Sequence, residues 1–144
     1  MRPSPTDMVS TTGYQQTPVW HRWALTPAEL GDVRYAGNIP SSQRLSGGTR
    51  RVRDGASNAR GLAVVTELGV DVSAGIRETA RAIDGGRTMP ELIAVANDPG
   101  AGSLVLMEGH TRATAYLLAS KPPAEVVVLV GWSRSMETTW QPWF

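Results

Sequence analysis

The sequence contains no cysteine. That excludes a disulfide framework, a thiolate metal site and a cysteine nucleophile. Lysine is almost as scarce: of the fourteen Lys and Arg residues, only Lys121 is a lysine. Neither sign of charge is in excess, since thirteen Asp and Glu leave a formal net charge of +1. A chain held on nucleic acid or on a membrane by bulk charge is not expected from that balance. No apolar run approaches the ~20 residues that a bilayer span needs. Residues 1–17, rich in Ser, Thr, Pro and Gln, lack the apolar core of a signal peptide and read as a flexible lead-in. Residues 18–144 are then expected to form a single cytoplasmic domain. With 41% hydrophobic residues in 144, the chain suffices for one core that buries about two-thirds of its unfolded surface.

Arginine makes up almost all of the cationic charge. Planar, bidentate contacts to phosphate or carboxylate would use it, and GC-rich codon usage would produce it equally well. Residues 19–25, with two Trp and a Val, suit a strand. Residues 26–58 read as irregular, broken by Gly31, Gly37, Pro40, Gly47, Gly48 and Gly55. Within that stretch Arg44, Arg50, Arg51 and Arg53 stand near one acid, Asp54. Two readings follow, a solvated loop or a lid that faces an anion. A helix is expected over 59–68, with Leu62, Val65 and Leu68 as its apolar face and Gly69 as its stop. Ser73 is the expected N-cap of a second helix, which Gly85 and Gly86 close.

Beyond Pro90 the pattern sharpens. Strands are expected over 91–96 and 103–107, joined by an Asn-Asp-Pro-Gly turn at 97–100. An apolar helix over 111–120 and a strand over 125–131 complete the order. All five Trp lie near the ends, Trp20 and Trp23 in the first strand and Trp132, Trp140 and Trp143, with Phe144, at the C-terminus. Large aromatics need burial partners, so the ends are expected to pack together with the first and last strands as neighbours. His21, in a strand with no partner in view, is expected to be structural.

The chemistry concentrates in Glu108-Gly109-His110-Thr111-Arg112-Ala113-Thr114. A buried strand runs through glycine into the first turn of a buried helix. The first amides of that helix lack internal partners, and its dipole places partial positive charge there. Gly109 permits close backbone approach, Thr111 and Thr114 offer hydroxyls, and Arg112 offers a fork suited to phosphate oxygens. The alternative at this spacing is a capped structural turn.

The stretch 73–131 resembles the core of the ParB/sulfiredoxin superfamily. It has the same order of helix, Pro-led strand, turn, strand, Gly-x-x-Arg-x-x-Ala turn, buried helix and strand. The resemblance implies an α+β domain in which helices pack on a small mixed sheet. Sulfiredoxins carry Cys where this chain has His110, so their chemistry is excluded. Partition proteins of the ParB branch share Gly109, Arg112 and Ala115. They have Glu and Arg at the places of His110 and Thr111, and no helix-turn-helix follows in this sequence. The free-serine kinase branch carries Asp-Gly-His-His-Arg, and Glu108-Gly109-His110-Thr111-Arg112 is similar to it.

That likeness implies ATP- or ADP-dependent phosphotransfer to a small hydroxylated metabolite. In this scheme Gly109, Thr111, Arg112 and Thr114 hold phosphates, with Arg50 and Arg51 closing from the loop. Glu108 recruits Mg²⁺, His110 assists transfer, and Glu29, by position alone, is the base for the acceptor hydroxyl. Two alternatives stand beside it. One is a non-catalytic module that binds nucleotide or DNA backbone. The other is an enzyme acting on a phosphorylated or carboxylated metabolite without phosphotransfer.

Overall fold

The computed structural model describes residues 19–96 and 104–133. The expected lead-in, the turn at 97–100, and Trp140, Trp143 and Phe144 all lie outside the described residues. The order is β1 (Val19–Leu25), α1 (Pro27–Asp32), α2 (Pro40–Leu45), α3 (Val52–Ala59), α4 (Val72–Asp84), β2 (Leu92–Ala96), β3 (Val105–Glu108), α5 (His110–Leu118) and β4 (Val126–Trp132). Four strands form one mixed sheet in the order β1-β4-β2-β3. β4 is antiparallel to β1 and parallel to β2, and β3 is antiparallel to β2. This is the α+β architecture expected from the sequence.

Alternation sets the faces. Trp23, Leu25, Leu92, Ala94, Ala96, Leu106, Val126, Val128 and Val130 point into one cluster with Leu30, Val52, Ile76, Ile83 and Ala113 from the helices. The end strands are neighbours, as expected. Val19 pairs with Trp132 and Trp23 with Val128, so Trp23 and Trp132 share a face four register positions apart, too far to stack. Trp20 lies on the other face across Gly131, where a Cβ would stand 2.8 Å from Cη2 of the indole.

Three expectations are corrected. The irregular stretch 26–58 contains α1, α2 and α3. Pro27 and Pro40 open the first two at positions where a missing N–H costs nothing, and Thr26 caps α1 by accepting from the Glu29 amide at 3.3 Å. Helices of six to eight residues are too short to leave a period. The helix expected over 59–68 does not form, because α3 ends at Ala59 and a short hairpin follows. Val72 N–H donates to the Val64 carbonyl at 2.8 Å and Thr66 N–H to the Val70 carbonyl at 2.9 Å. Leu68, expected on an apolar face, is 93% exposed at the tip. Its β-branched neighbours favour extended backbone, and Gly69 takes the left-handed turn conformation at φ 79°. The N-cap of α4 is Asp71, which accepts from the Ala74 amide at 3.1 Å, and Ser73 is buried inside the helix.

Beyond β3 the sheet edge is covered by two short extended pieces. Arg34 N–H donates to the Leu104 carbonyl, and Leu106 N–H donates to the Arg34 carbonyl, both at 2.9 Å. Tyr35 N–H in turn reaches the Arg50 carbonyl at 2.7 Å, and Val52 N–H the Val33 carbonyl at 3.0 Å. Arg34 runs parallel to β3, so the chain emerges at Tyr35 and Ala36 beside the end of β3 where α5 begins.

Among the described residues, no helix is long and apolar enough to cross a membrane.

Candidate functional site

β3 delivers the chain to Gly109, which adopts φ 89° and ψ 26° as the N-cap of α5. A Cβ there would stand 2.5 Å from Leu92 Cδ2 and 3.1 Å from Arg112 Nη2, and the positive φ would strain any other residue. No side chain caps α5. Ala113 N–H makes the first helical bond, to the Gly109 carbonyl at 2.8 Å. Among the described residues nothing accepts from the amides of His110, Thr111 and Arg112. A row of free donors therefore stands at the positive end of the helix dipole.

Arg112 lies against this turn with its side chain 21% exposed. One Nη2 bond goes to the Glu91 carbonyl at 3.2 Å, and the Glu108 carboxylate is 3.9 Å away. Its Nε is buried without a partner. The Glu108 side chain is 67% exposed and so faces solvent at the mouth of the turn. Thr111 is exposed on the first turn.

His110, expected to assist transfer, is held from two sides. Its Nε2 accepts from the Ala36 amide at 3.2 Å, which places the ring proton on Nδ1. The ring stacks on Tyr35 with centroids 5.9 Å apart and planes 24° apart. Burial depresses the imidazole to about 4, so it is neutral near pH 7. Thr114 is fully buried, and its hydroxyl donates to the His110 carbonyl at 2.8 Å and accepts from the Tyr35 hydroxyl at 2.5 Å. Its donor is thus engaged in the core and does not reach the turn. Burial pushes the Tyr35 phenol up to about 12, so it remains a donor.

The arginines of 44–53 disperse. Arg50 takes a left-handed backbone at φ 63° and clamps the Tyr35 carbonyl through Nε at 3.0 Å and Nη2 at 2.8 Å. Burial, followed by the charge of Arg34, lowers its pKa. This is the one basic side chain of the group that the structure brings next to the His110 neighbourhood. Arg51 lies 4.0 Å from Asp32, to which Arg53 is also bonded, and Arg44 donates to the Val65 carbonyl at 3.0 Å.

Glu29 is not brought to the turn. It belongs to α1, which packs on the far part of α5: a Cβ on Gly31 would stand 3.6 Å from Leu117 Cδ1. Leu117 is seven residues beyond His110, about 10 Å along the helix axis.

Tyr35, Ala36, Gly55 and the Glu91 carbonyl support the site and were not singled out from the sequence. A methyl on Gly55 would land on the Tyr35 hydroxyl and 2.8 Å from its Cζ, so Gly55 makes the space that Tyr35 fills. A glycine at midpoint of a helix otherwise weak in apolar residues was the available signal.

No group of three or more His, Asp or Glu side chains that would hold a metal occurs among the described residues. The Glu91 carboxylate is taken by Arg22 at 3.0 Å. Among the described residues, the turn itself therefore offers a metal ion one carboxylate, Glu108, too few to hold it unaided. No family model, no curated protein and no solved structure matches this chain.

Proposed function

We propose that the turn Gly109–Arg112 binds the phosphate groups of a nucleotide. The observation that carries this reading is the uncapped start of α5, entered through a glycine whose left-handed backbone would strain any other residue, with a guanidinium beside it whose Nε has no partner. Acceptor-only oxygens complement such a set of donors. The amides of His110, Thr111 and Arg112 and the Thr111 hydroxyl orient the phosphates, and Arg112 neutralises them. His110, neutral and fixed by Ala36, contributes its Nδ1–H as a donor.

The likeness of Glu108-Gly109-His110-Thr111-Arg112 to the free-serine kinase turn supports phosphotransfer to a small hydroxylated metabolite as the activity. A Mg²⁺ ion carried by the nucleotide and held by Glu108 would supply charge neutralisation at the transferred phosphoryl group. The second reading, a non-catalytic nucleotide or DNA-backbone module, is favoured by the placement of Glu29 away from the turn.

Calorimetric titration of ATP, ADP, CTP and GTP with Mg²⁺ tests the binding claim. At least one nucleotide should bind, and Arg112→Gln should weaken it about tenfold or more. Absence of binding to all four removes the proposal. Turnover by the wild type that Glu108→Gln abolishes would favour phosphotransfer. Binding without turnover, or a steeply salt-dependent shift of duplex DNA, would favour the module.

A further inference from the structure

A second feature lies on the far side of Arg112, where the connection from α4 to β2 faces the connection from α5 to β4. Between them runs a cleft of about 490 Å³, a volume in the range of small-ligand sites. Its apolar surface comes from Ile83, Met89 and Val126. Tyr116 lines it, largely covered at 8% exposed but with its hydroxyl open to the cleft. Burial raises its pKa, so it is a donor and not a phenolate.

The charges on the rim are unequal. Arg87 and Lys121 both line the cleft, and among the described residues neither has a carboxylate within ion-pair distance. Of the two acids there, Glu91 is neutralised by Arg22 at 3.0 Å, which leaves Glu125. Both rims are fixed by backbone bonds. The Asp84 carboxylate accepts from the amides of Ser120 at 3.1 Å and Lys121 at 2.7 Å. Arg87 N–H is tied to the Ala82 carbonyl at 3.0 Å.

We infer that this cleft is a binding site for a small organic monoanion with an apolar body. The body lies on Ile83, Met89 and Val126, the Tyr116 hydroxyl donates to an anionic oxygen, and Lys121 and Arg87 hold the charge. The lone uncompensated Glu125 on the rim disfavours a dianion. Tyr116 is seven residues beyond Gly109, about 10 Å along α5, so this site is distinct from the turn and does not depend on the phosphate reading.

The probe is benzoate, with its neutral analogue benzamide as control, followed by ¹H–¹⁵N correlation spectra of the full chain. Benzoate should produce saturable shifts at the amides of Thr88, Met89 and Lys121, and bind several-fold more tightly than benzamide. Tyr116→Phe keeps the ring and should weaken benzoate binding about tenfold. Lys121→Gln, on an exposed residue, should weaken it and reduce its salt dependence; it carries the test on its own if Tyr116→Phe fails to fold. The inference is overturned by absence of saturable shifts at those amides or by equal affinity for benzoate and benzamide. Full affinity in folded Tyr116→Phe, or shifts confined to Gly109–Arg112, would overturn it as well.

Discussion

Gly55→Ala should destabilise the protein, against the usual rule for a helix. Alanine exceeds glycine in helix propensity by up to about 1 kcal/mol, so the same exchange at an open helical site is stabilising. Gly75 in α4 is such a site, with nothing within 4 Å of an added methyl. At Gly55, in α3, the methyl meets the ring of Tyr35, with Cζ at 2.8 Å and Cε2 at 2.9 Å. Tyr35 is 1% exposed, within an interior whose close packing resists displacement of a ring. Overpacking of this kind costs about 1–3 kcal/mol. Displacing the phenol also breaks its buried bond to Thr114, a further loss of about 1–3 kcal/mol. Less the gain in propensity, the net loss is roughly 1–5 kcal/mol, centred near 3. Urea unfolding followed by circular dichroism measures it, with Gly75→Ala as the control expected to gain up to about 1 kcal/mol. The packing argument is refuted if Gly55→Ala is as stable as the wild type. In a Tyr35→Phe background the same substitution should cost less, because the contact with the hydroxyl is gone while the ring contacts remain.

His110 gives a pH signature of defined sign. Its folded pKa of about 4 lies below the ordinary 6.5, so the unfolded chain binds a proton that the fold resists. Stability should therefore fall as pH drops from 6.5 towards 4, by up to about 1.4 kcal/mol per unit and about 3 kcal/mol in all. His110→Gln, compared with the wild type by urea midpoint across that window, should show a flatter profile; parallel profiles would contradict the burial of a neutral ring. At Arg50, alanine should be worse than glycine. Both lose the clamp on the Tyr35 carbonyl, but alanine also keeps the positive φ, at a cost of roughly 1–2 kcal/mol. Thermal melts of Arg50→Ala and Arg50→Gly in the reverse order would show that the backbone at this position is not strained.

The strands were legible because their signals are local. Val19–Leu25 and Val126–Trp132 are runs of β-branched and aromatic residues, and the Trp near both ends pointed to their pairing. The turn at Glu108–Arg112 was legible because a strand, a glycine and an apolar helix follow one another without a gap. The segment 26–58 was not, since α1, α2 and α3 are short, begin at Pro27, Pro40 and Val52, and derive stability from contacts distant in sequence. Tyr35 illustrates this: its partners Gly55, His110 and Thr114 are up to 79 residues away. The spacing of Leu62, Val65 and Leu68 imitates a helix face, but periodicity buries a residue only where a surface exists to receive it. Leu68, at 93% exposed, has none.

Donors outnumber acceptors at the start of α5, and this constrains what can bind there. Among the described residues, three backbone amides and the Arg112 Nε are without partners, while one nearby carboxylate, Glu108, is 3.9 Å from Arg112 and largely in solvent. A cation would find a single ligand; an oxyanion would find four donors and the end of a helix dipole. The turn does not need such a ligand for rigidity. Tyr35, wedged against Gly55, carries the His110 ring, and Thr114 ties that residue's carbonyl to the phenol. The first turn of α5 is therefore set before any ligand arrives, so little ordering entropy opposes binding. Arg112 extends the same logic outward, since its bond to the Glu91 carbonyl joins the turn to the wall of the Tyr116 cleft.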